Sequence, residues 1–556
     1  MKISLSFFAI FLTLSSLQLA AQDNSYEALA KMFSQPTTTG SARFQAIGGN
    51  HSALGADVSS AAGNPAGLGF FTRSEFSFTP AYQSISNSSI YAIEPNRTTN
   101  SNVNNFNIAN IGVVFGGGEP TYREGWRGSF AISYSRQNTL FNNIQFSGTG
   151  DPSIKPPITI TSITDSYAES VNSQIQSGNL TQNGLVSGLN NGAPNNFPSS
   201  ASLYYWGYLI NAVNNSNNPF QGIEPNSIPT QKLDFQSTGR VSQWTIAYGG
   251  TANEHFYIGG SLGIPSYRYE AVKNFSETYQ TYQEIKGFTD TRLLTSSGSG
   301  INLTIGAIIK PSDKIRFGLT VVTPTWYDVD ETSSTSLNVN VDPNKGINLG
   351  ANPDQTILSR LGTVGYKTAK KGNDIFITSI PKLSTETYQD NYQLRTPLKV
   401  SGGAAVFFKK KGFLSADIEY VAYKGMNIST QDQNSPIYGD LSNSTDNVKL
   451  FYNNVLNMKV GGEYRMGNVS LRGGVNFLQN PYSTAFDRIK TIDRSQMIYS
   501  AGVGYRTNEF YVDVTGMYGS TQASYSPYSL ASSSDFASAK INNSYVKGLV
   551  SFGVFF

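Results

Sequence analysis

The sequence predicts an all-β fold, a transmembrane antiparallel β-barrel of about fourteen strands, with the residues that precede it folded as a plug. Three observations carry this. Apolar residues alternate with polar or small ones in segment after segment up to the last residue. The connections between these segments alternate short and long. Charged residues make up only 14% of the 556 residues, while aromatics reach 12%. Soluble domains carry roughly 25% charge, whereas a membrane barrel shows itself in sequence by weak alternation along segments of about ten residues.

The first element is a leader. Lys2 gives the positive end, Ile3 to Leu14 the apolar run, and Leu19-Ala20-Ala21 a cleavage site, so residues 1–21 are expected to be a signal peptide. No later stretch offers the ~18 apolar residues of a membrane helix. The chain has no cysteine, which excludes disulfides, thiolate metal sites and a lipoprotein anchor. A net charge of +3 gives no reason to expect a nucleic-acid partner.

The second element, residues 22–72, is small-residue-rich and punctuated by glycine. It runs through Gly40-Ser41-Ala42-Arg43-Phe44 and His51-Ser52-Ala53-Leu54 to Gly63-Asn64-Pro65-Ala66-Gly67. From Ser74 the pattern changes to period two, with Phe76, Phe78 and Tyr82 on one face and Ser77, Thr79 and Ala81 on the other. Asn64-Pro65-Ala66 at this junction resembles the FadL/TodX family of outer-membrane transporters for long-chain fatty acids and other hydrophobic compounds.

The resemblance implies an N-terminal hatch over 22–72 that closes the lumen of a barrel over 73–556, in the bacterial outer membrane. It implies passive diffusion of a hydrophobic small-molecule ligand through the hatch-gated barrel, with no cofactor and no enzyme activity. A FadL-related binding or shuttle protein of a secretion system is the alternative. Pro65 fixes its own φ and pushes Asn64 out of the helical region, so the tripeptide is expected to be a rigid projection. Asn64, Pro65 and Ala66 are assigned to hatch and lateral gating, packed against an irregular strand around 126–138. The competing reading is a simple turn.

The barrel strands are expected near 73–83, 105–116, 126–138, 233–251, 255–270, 291–310, 315–330, 388–408, 412–424, 454–466, 469–479, 497–506, 509–519 and 543–556. Short connections (such as 252–254, 409–411 and 467–468) would be periplasmic turns, and long ones (84–104, 139–232, 271–290, 331–387, 425–453, 480–496 and 520–542) outer loops. The apolar faces are expected against outer-membrane lipid. The terminal Phe556, after Val554, Phe552 and Val550 at two-residue steps, resembles the signal read by the barrel assembly machinery.

The chain has two histidines, His51 and His255, neither at metal-ligand spacing to the other, and no nucleophile elbow or phosphate loop. No catalytic residue and no metal site is expected. Charges of both signs alternate onto the lumen face, including Arg316, Asp417, Glu419, Lys459, Glu463, Arg465, Arg472, Arg506, Asp513 and Lys547. Because buried charge is costly unless paired, they read as a self-paired network, with Arg43 and Asp57 as its hatch-anchoring partners. In the loop at 139–232, Leu203, Trp206, Ile210 and Val213 fall on one face of an expected helix. They either line a ligand-capture groove or pack on the barrel mouth.

Overall fold

A strand whose outward residues are apolar and whose inward residues are polar cannot leave an open edge in lipid, so the strands must close on themselves. A computed structural model describes residues 25–35, 38–118, 125–149, 162–177, 197–213, 218–223, 229–279, 284–433, 435, 437–486, 492–531 and 536–556. The expected signal peptide lies outside them.

Fourteen antiparallel strands run up and down in chain order. The first six are Glu75–Tyr91, Thr98–Phe115, Arg127–Thr139, Thr230–Thr251, Phe256–Thr278 and Ile285–Ser312. The seventh (Ile315–Val322 and Trp326–Val341) and the eighth (Tyr388–Arg395 and Lys399–Phe407) are each broken in two. Then come Gly412–Val421, Val455–Met466, Val469–Leu478, Gln496–Arg506, Phe510–Tyr525 and Ala539–Phe555. The last pairs with the first, Glu75 opposite Phe555 and Tyr91 opposite Ala539, and the barrel is closed.

Alternation sorts the side chains as expected. Val503, Val514 and Val460 are more than half exposed on the outside. Aromatics border this aliphatic band. Tyr464, Tyr505 and Phe510 stand toward the short turns, and Tyr420, Tyr499 and Tyr518 toward the long loops. These are the two girdles of a membrane barrel. Among the described residues no helix is long and apolar enough to cross a membrane.

The strand ends differ from expectation at the long-loop side. The run 84–104 was expected to be a loop, but the first two strands extend through it and leave only 92–97 as the connection. Likewise the fifth and sixth strands extend into 271–290, and the thirteenth and fourteenth into 520–542. The outward residues of these extensions are mostly polar, while inward ones such as Tyr91, Phe275 and Ile541 pack beneath the long loops. Backbone pairing continues there because, beyond the lipid, the outward face of the sheet can be polar.

Two irregularities shape the wall. Pro324 and Pro397 break adjacent strands at the same level, where a missing N–H removes a ladder bond. Thr325 and Thr396 bridge the break, Thr325 N–H donating to Thr396 Oγ1 at 2.8 Å and Thr396 N–H to Thr325 O at 3.0 Å. The third strand bulges between Arg136 and Asn138, and after Leu140 and Phe141 it resumes as Asn142–Gly148 against the fourth strand.

The long-loop end is roofed by helices Ile163–Gln176, Ser200–Trp206, Gln355–Val364 and Tyr438–Phe451 and by a small sheet (Ile347–Asn348, Lys367–Lys371, Asp374–Ser379). Their apolar side chains merge with inward ones of the barrel into one large cluster, which includes Phe197, Leu203, Leu233, Phe275 and Leu337.

Candidate transport site

The N-terminal segment lies against the inward faces of the strands. Its first helix, Tyr26–Ser34, crosses the long-loop half of the lumen. Phe33 stacks on Tyr267 of the fifth strand with centroids 3.8 Å apart, and Tyr26 meets Tyr392 of the eighth edge-on at 5.0 Å. Helix Ala42–Ala46 sits lower, capped by Ser41. Ser551 accepts from Ala42 N–H, Thr515 donates to Ala42 O, and Ser500 donates to Ala46 O, at 2.7, 2.7 and 2.9 Å. Across the lumen Asp417 accepts from the backbone N–H groups of His51 and Ser52, both at 2.9 Å.

Arg43 and Asp57 stand in a buried ionic cluster. Arg43 Nε is 3.3 Å from Glu463, and its Nη1 is 3.9 Å from Asp57 and donates to Ala56 O. Glu463 also takes Arg472 at 2.7 Å and Arg465 at 2.6 Å, and Arg472 in turn pairs with Asp513. Asp57 accepts from Ser41 Oγ and caps the turn Val58–Ala61 through Ser59 N–H. Three arginines thus meet three carboxylates, and every member has a partner, which is the condition for tolerating buried charge.

Asn64 has extended backbone (φ −106°, ψ 103°) and caps the 3₁₀ helix Pro65–Phe70, with proline at its first position, where no N–H is needed. Its Nδ2 donates to Ser52 O at 2.6 Å and reaches Ala307 O and Leu319 O at 3.4 Å, while Oδ1 accepts from Ala66 N–H at 3.1 Å. This corrects the expected location. The tripeptide is seated on the fourth to seventh strands, not on 126–138. A Cβ on Gly249 or Gly259 would collide with Pro65, one on Gly306 with the Asn64 side chain, and one on Gly318 with Ser52 O. Gly461 and Gly474 make the same room for Ile47 and Gly48. The missing side chains let the segment's backbone reach the wall. The sequence contained this signal as inward-facing glycines, but only the register reveals that they form one seat.

Replacing Asn64 by Ala leaves Ser52 O and Ala66 N–H without their buried partner, which costs about 1–3 kcal/mol. The expected result is faster amide hydrogen exchange over 50–68 with the barrel ladder unchanged; unaltered exchange there would leave Asn64 a passive turn residue.

The wall beside the third strand is incomplete. Its ladder with the second strand spans only 110–115 against 130–135, and from Thr98 to Ala109 the second strand pairs with the first alone. Asn110 Nδ2 donates to Tyr134 O at the lower margin, and Asn143 Nδ2 to Asn102 O at the upper. Between these margins no backbone bond joins the two strands.

A cavity of about 370 Å³ adjoins the third-strand side of this gap. The kinked stretch 136–142 forms one side, Leu29 and Met32 of the first helix another, and Ile85, Tyr269, Tyr423, Tyr452, Ile498 and Met517 much of the rest. Among the described residues its lining carries Lys31, Arg136, Arg494 and Lys547 and no Asp or Glu. Arg136 Nε is buried without a hydrogen-bond partner, and Lys547 donates to Gln45 Oε1 at 2.9 Å. Of these cations only Lys547 stood out in the sequence, as an inward charge. Arg136 falls where a regular third strand would be, and the kink aims it.

The stripe Leu203, Trp206 and Ile210 does not line this cavity. The helix ends at Gly207, and Ile210 belongs to a two-stranded sheet with Phe220–Gly222. Leu203, Trp206 and Ile210 are buried in the roof, and Tyr366 donates to Trp206 O at 2.7 Å. The single-helix reading missed the glycine stop at 207. Among the described residues no group of His, Asp and Glu is arranged to hold a metal ion.

No family model and no curated protein sequence matches the chain. Among solved structures it is similar to a Pseudomonas aeruginosa FadL homologue, at 12% identity over 93% of this chain and 99% of that one, with a TM-score of 0.52. A Pseudomonas putida toluene transporter, TodX, aligns over 93% of this chain and 99% of that one at 10% identity and TM-score 0.46. The fold of the chain is therefore that of FadL-type fourteen-stranded membrane barrels.

Proposed function

We propose that the chain is a passive channel of the bacterial outer membrane for hydrophobic molecules with an anionic end, long-chain fatty acids being the substrate class. The observation that carries this is the cavity, whose lining combines apolar and aromatic side chains with four cations and no carboxylate. A neutral hydrocarbon gains nothing from Arg136 or Lys547, whereas a carboxylate gains charge-assisted hydrogen bonds from both. The gap between the second and third strands gives a tail direct passage from this cavity to the bilayer, so no water-filled path is needed.

In this reading the N-terminal segment is the hatch. Arg43 and Asp57 anchor it through Glu463, and Asn64-Pro65-Ala66 fixes it to the wall, which keeps the axial route shut. The mechanism needs no reaction, cofactor or energy source; flux follows the gradient. Phe556, exposed beside the closing pair of strands, is the end offered to the barrel assembly machinery.

The test compares a long-chain fatty acid with its methyl ester, which keeps the tail and loses the charge. In proteoliposomes the acid is expected to bind and enter about a hundredfold better than the ester, the equivalent of two charge-assisted contacts. Equal uptake of the two would remove the anionic end from the proposal, and uptake of neither would remove transport.

A further inference from the structure

Beyond the lipid band, the outer wall is not uniform. On the fourth to seventh strands the outward residues past the band carry charge, among them Lys232, Arg240, Arg268, Glu270 and Asp328. On the first, second, thirteenth and fourteenth strands they are almost all Ser, Asn or Gln. Along the fourteenth, outward Phe552, Val550 and Val546 give way to Ser544 and Asn542, and along the first, Tyr82 gives way to Ser84, Ser86 and Ser88.

Register brings these into one grid. Ser86 stands opposite Asn102 on one side and Ser544 on the other, Ser88 opposite Asn100 and Asn542, and Gln522 opposite Asn542. The grid floors a shallow cavity of about 760 Å³, with Tyr518 at its edge and Asp493 as its one charged lining residue. The side chains of Ser86, Asn100, Asn102, Gln522 and Asn542 make no hydrogen bond within the described residues, so their donors and acceptors all face outward.

We propose that this grid is a binding site for the neutral saccharide of an outer-leaflet glycolipid, a reading that rests on the outer-membrane placement above. Amides present a donor and an acceptor side by side and hydroxyls present both at one atom, which matches the hydroxyl pairs of a sugar. Among the described lining residues a phosphate finds no cation. The strands that form the grid also carry the lipid-facing residues Val514, Val546 and Phe552, so the site continues an apolar surface that already receives acyl chains. One glycolipid can therefore lay its chains on the lower wall and its sugars on the grid.

The experiment uses the full chain in nanodiscs, with smooth lipopolysaccharide and lipid A, which keeps the phosphorylated disaccharide and acyl chains but lacks the outer saccharide, as competing probes and native mass spectrometry as readout. Wild type is expected to favour smooth lipopolysaccharide about tenfold, and the triple variant Ser86→Ala, Asn100→Ala, Asn542→Ala to lose that preference. These side chains face away from the lumen, so fatty-acid uptake by the same protein reconstituted in proteoliposomes should not change and reports both folding and the transport reading independently. No preference in wild type, or a preference that survives the triple substitution, overturns the site. Lys540, exposed on the same outward face two residues before Asn542 and outside the cavity lining, is the charge control as Lys540→Ala. If it alone abolishes binding, a phosphate is being recognised and the saccharide assignment fails.

Discussion

Glu463→Ala is expected to unlock the N-terminal segment without unfolding the barrel. Glu463 is the carboxylate shared by Arg43, Arg465 and Arg472, and its own side chain is only 1% exposed. Its removal leaves Arg43 with Asp57 at 3.9 Å and Arg472 with Asp513 alone. Removing one partner of a buried pair costs about 3–5 kcal/mol, because the remaining charge stays desolvated. That cost falls on the segment more than on the ladder, since the strands keep their backbone bonds. Hydrogen exchange over 41–68 should accelerate, and single-channel conductance to small ions should rise in planar bilayers. If exchange and conductance both match wild type, the cluster does not hold the hatch.

Arg136→Ala with Lys547→Ala carries the largest expected effect on transport. Each hydrogen bond from a charged donor is worth about 1.5–3 kcal/mol, so losing both should weaken fatty-acid binding by roughly two orders of magnitude or more. Uptake of the methyl ester should stay within about twofold of wild type, since the apolar lining is untouched. Binding and uptake assays on both probes separate this from misfolding, which would lower acid and ester alike. Loss of ester uptake in parallel with acid uptake would show that the cations support the cavity and do not select its ligand.

The membrane-spanning part of every strand was legible because lipid imposes a strict period on outward residues. Leu456, Met458 and Val460, or Phe510, Val512 and Val514, read as strand without any tertiary knowledge. Past the lipid that constraint vanishes, and Ser84 to Ser89 and Thr98 to Asn104 look like loop although the ladder continues through them. Arg43 and Asp57 were readable as charges that needed partners, but Glu463, which Arg43 pairs with, lies some four hundred positions away and only the folded barrel unites them. The cavity was illegible for a different reason. It is formed where the third strand breaks its own pattern, and no period reports a break. The seat of Asn64 was misplaced because sequence order puts the third strand nearest, while the segment doubles back to meet the sixth and seventh.

The helix Ala42–Ala46 draws one bond from the thirteenth strand and one from the fourteenth at a single residue, Ala42. The segment that emerges early in synthesis therefore has no landing place there until the final hairpin has been made. That same hairpin supplies the strand that closes on the first, whose own start is only a few residues beyond the segment. Docking of the chain's beginning and sealing of its end are thus coupled by topology. A contact of this sequence separation is formed late, and a barrel sealed before docking would have to admit a folded segment through one of its mouths.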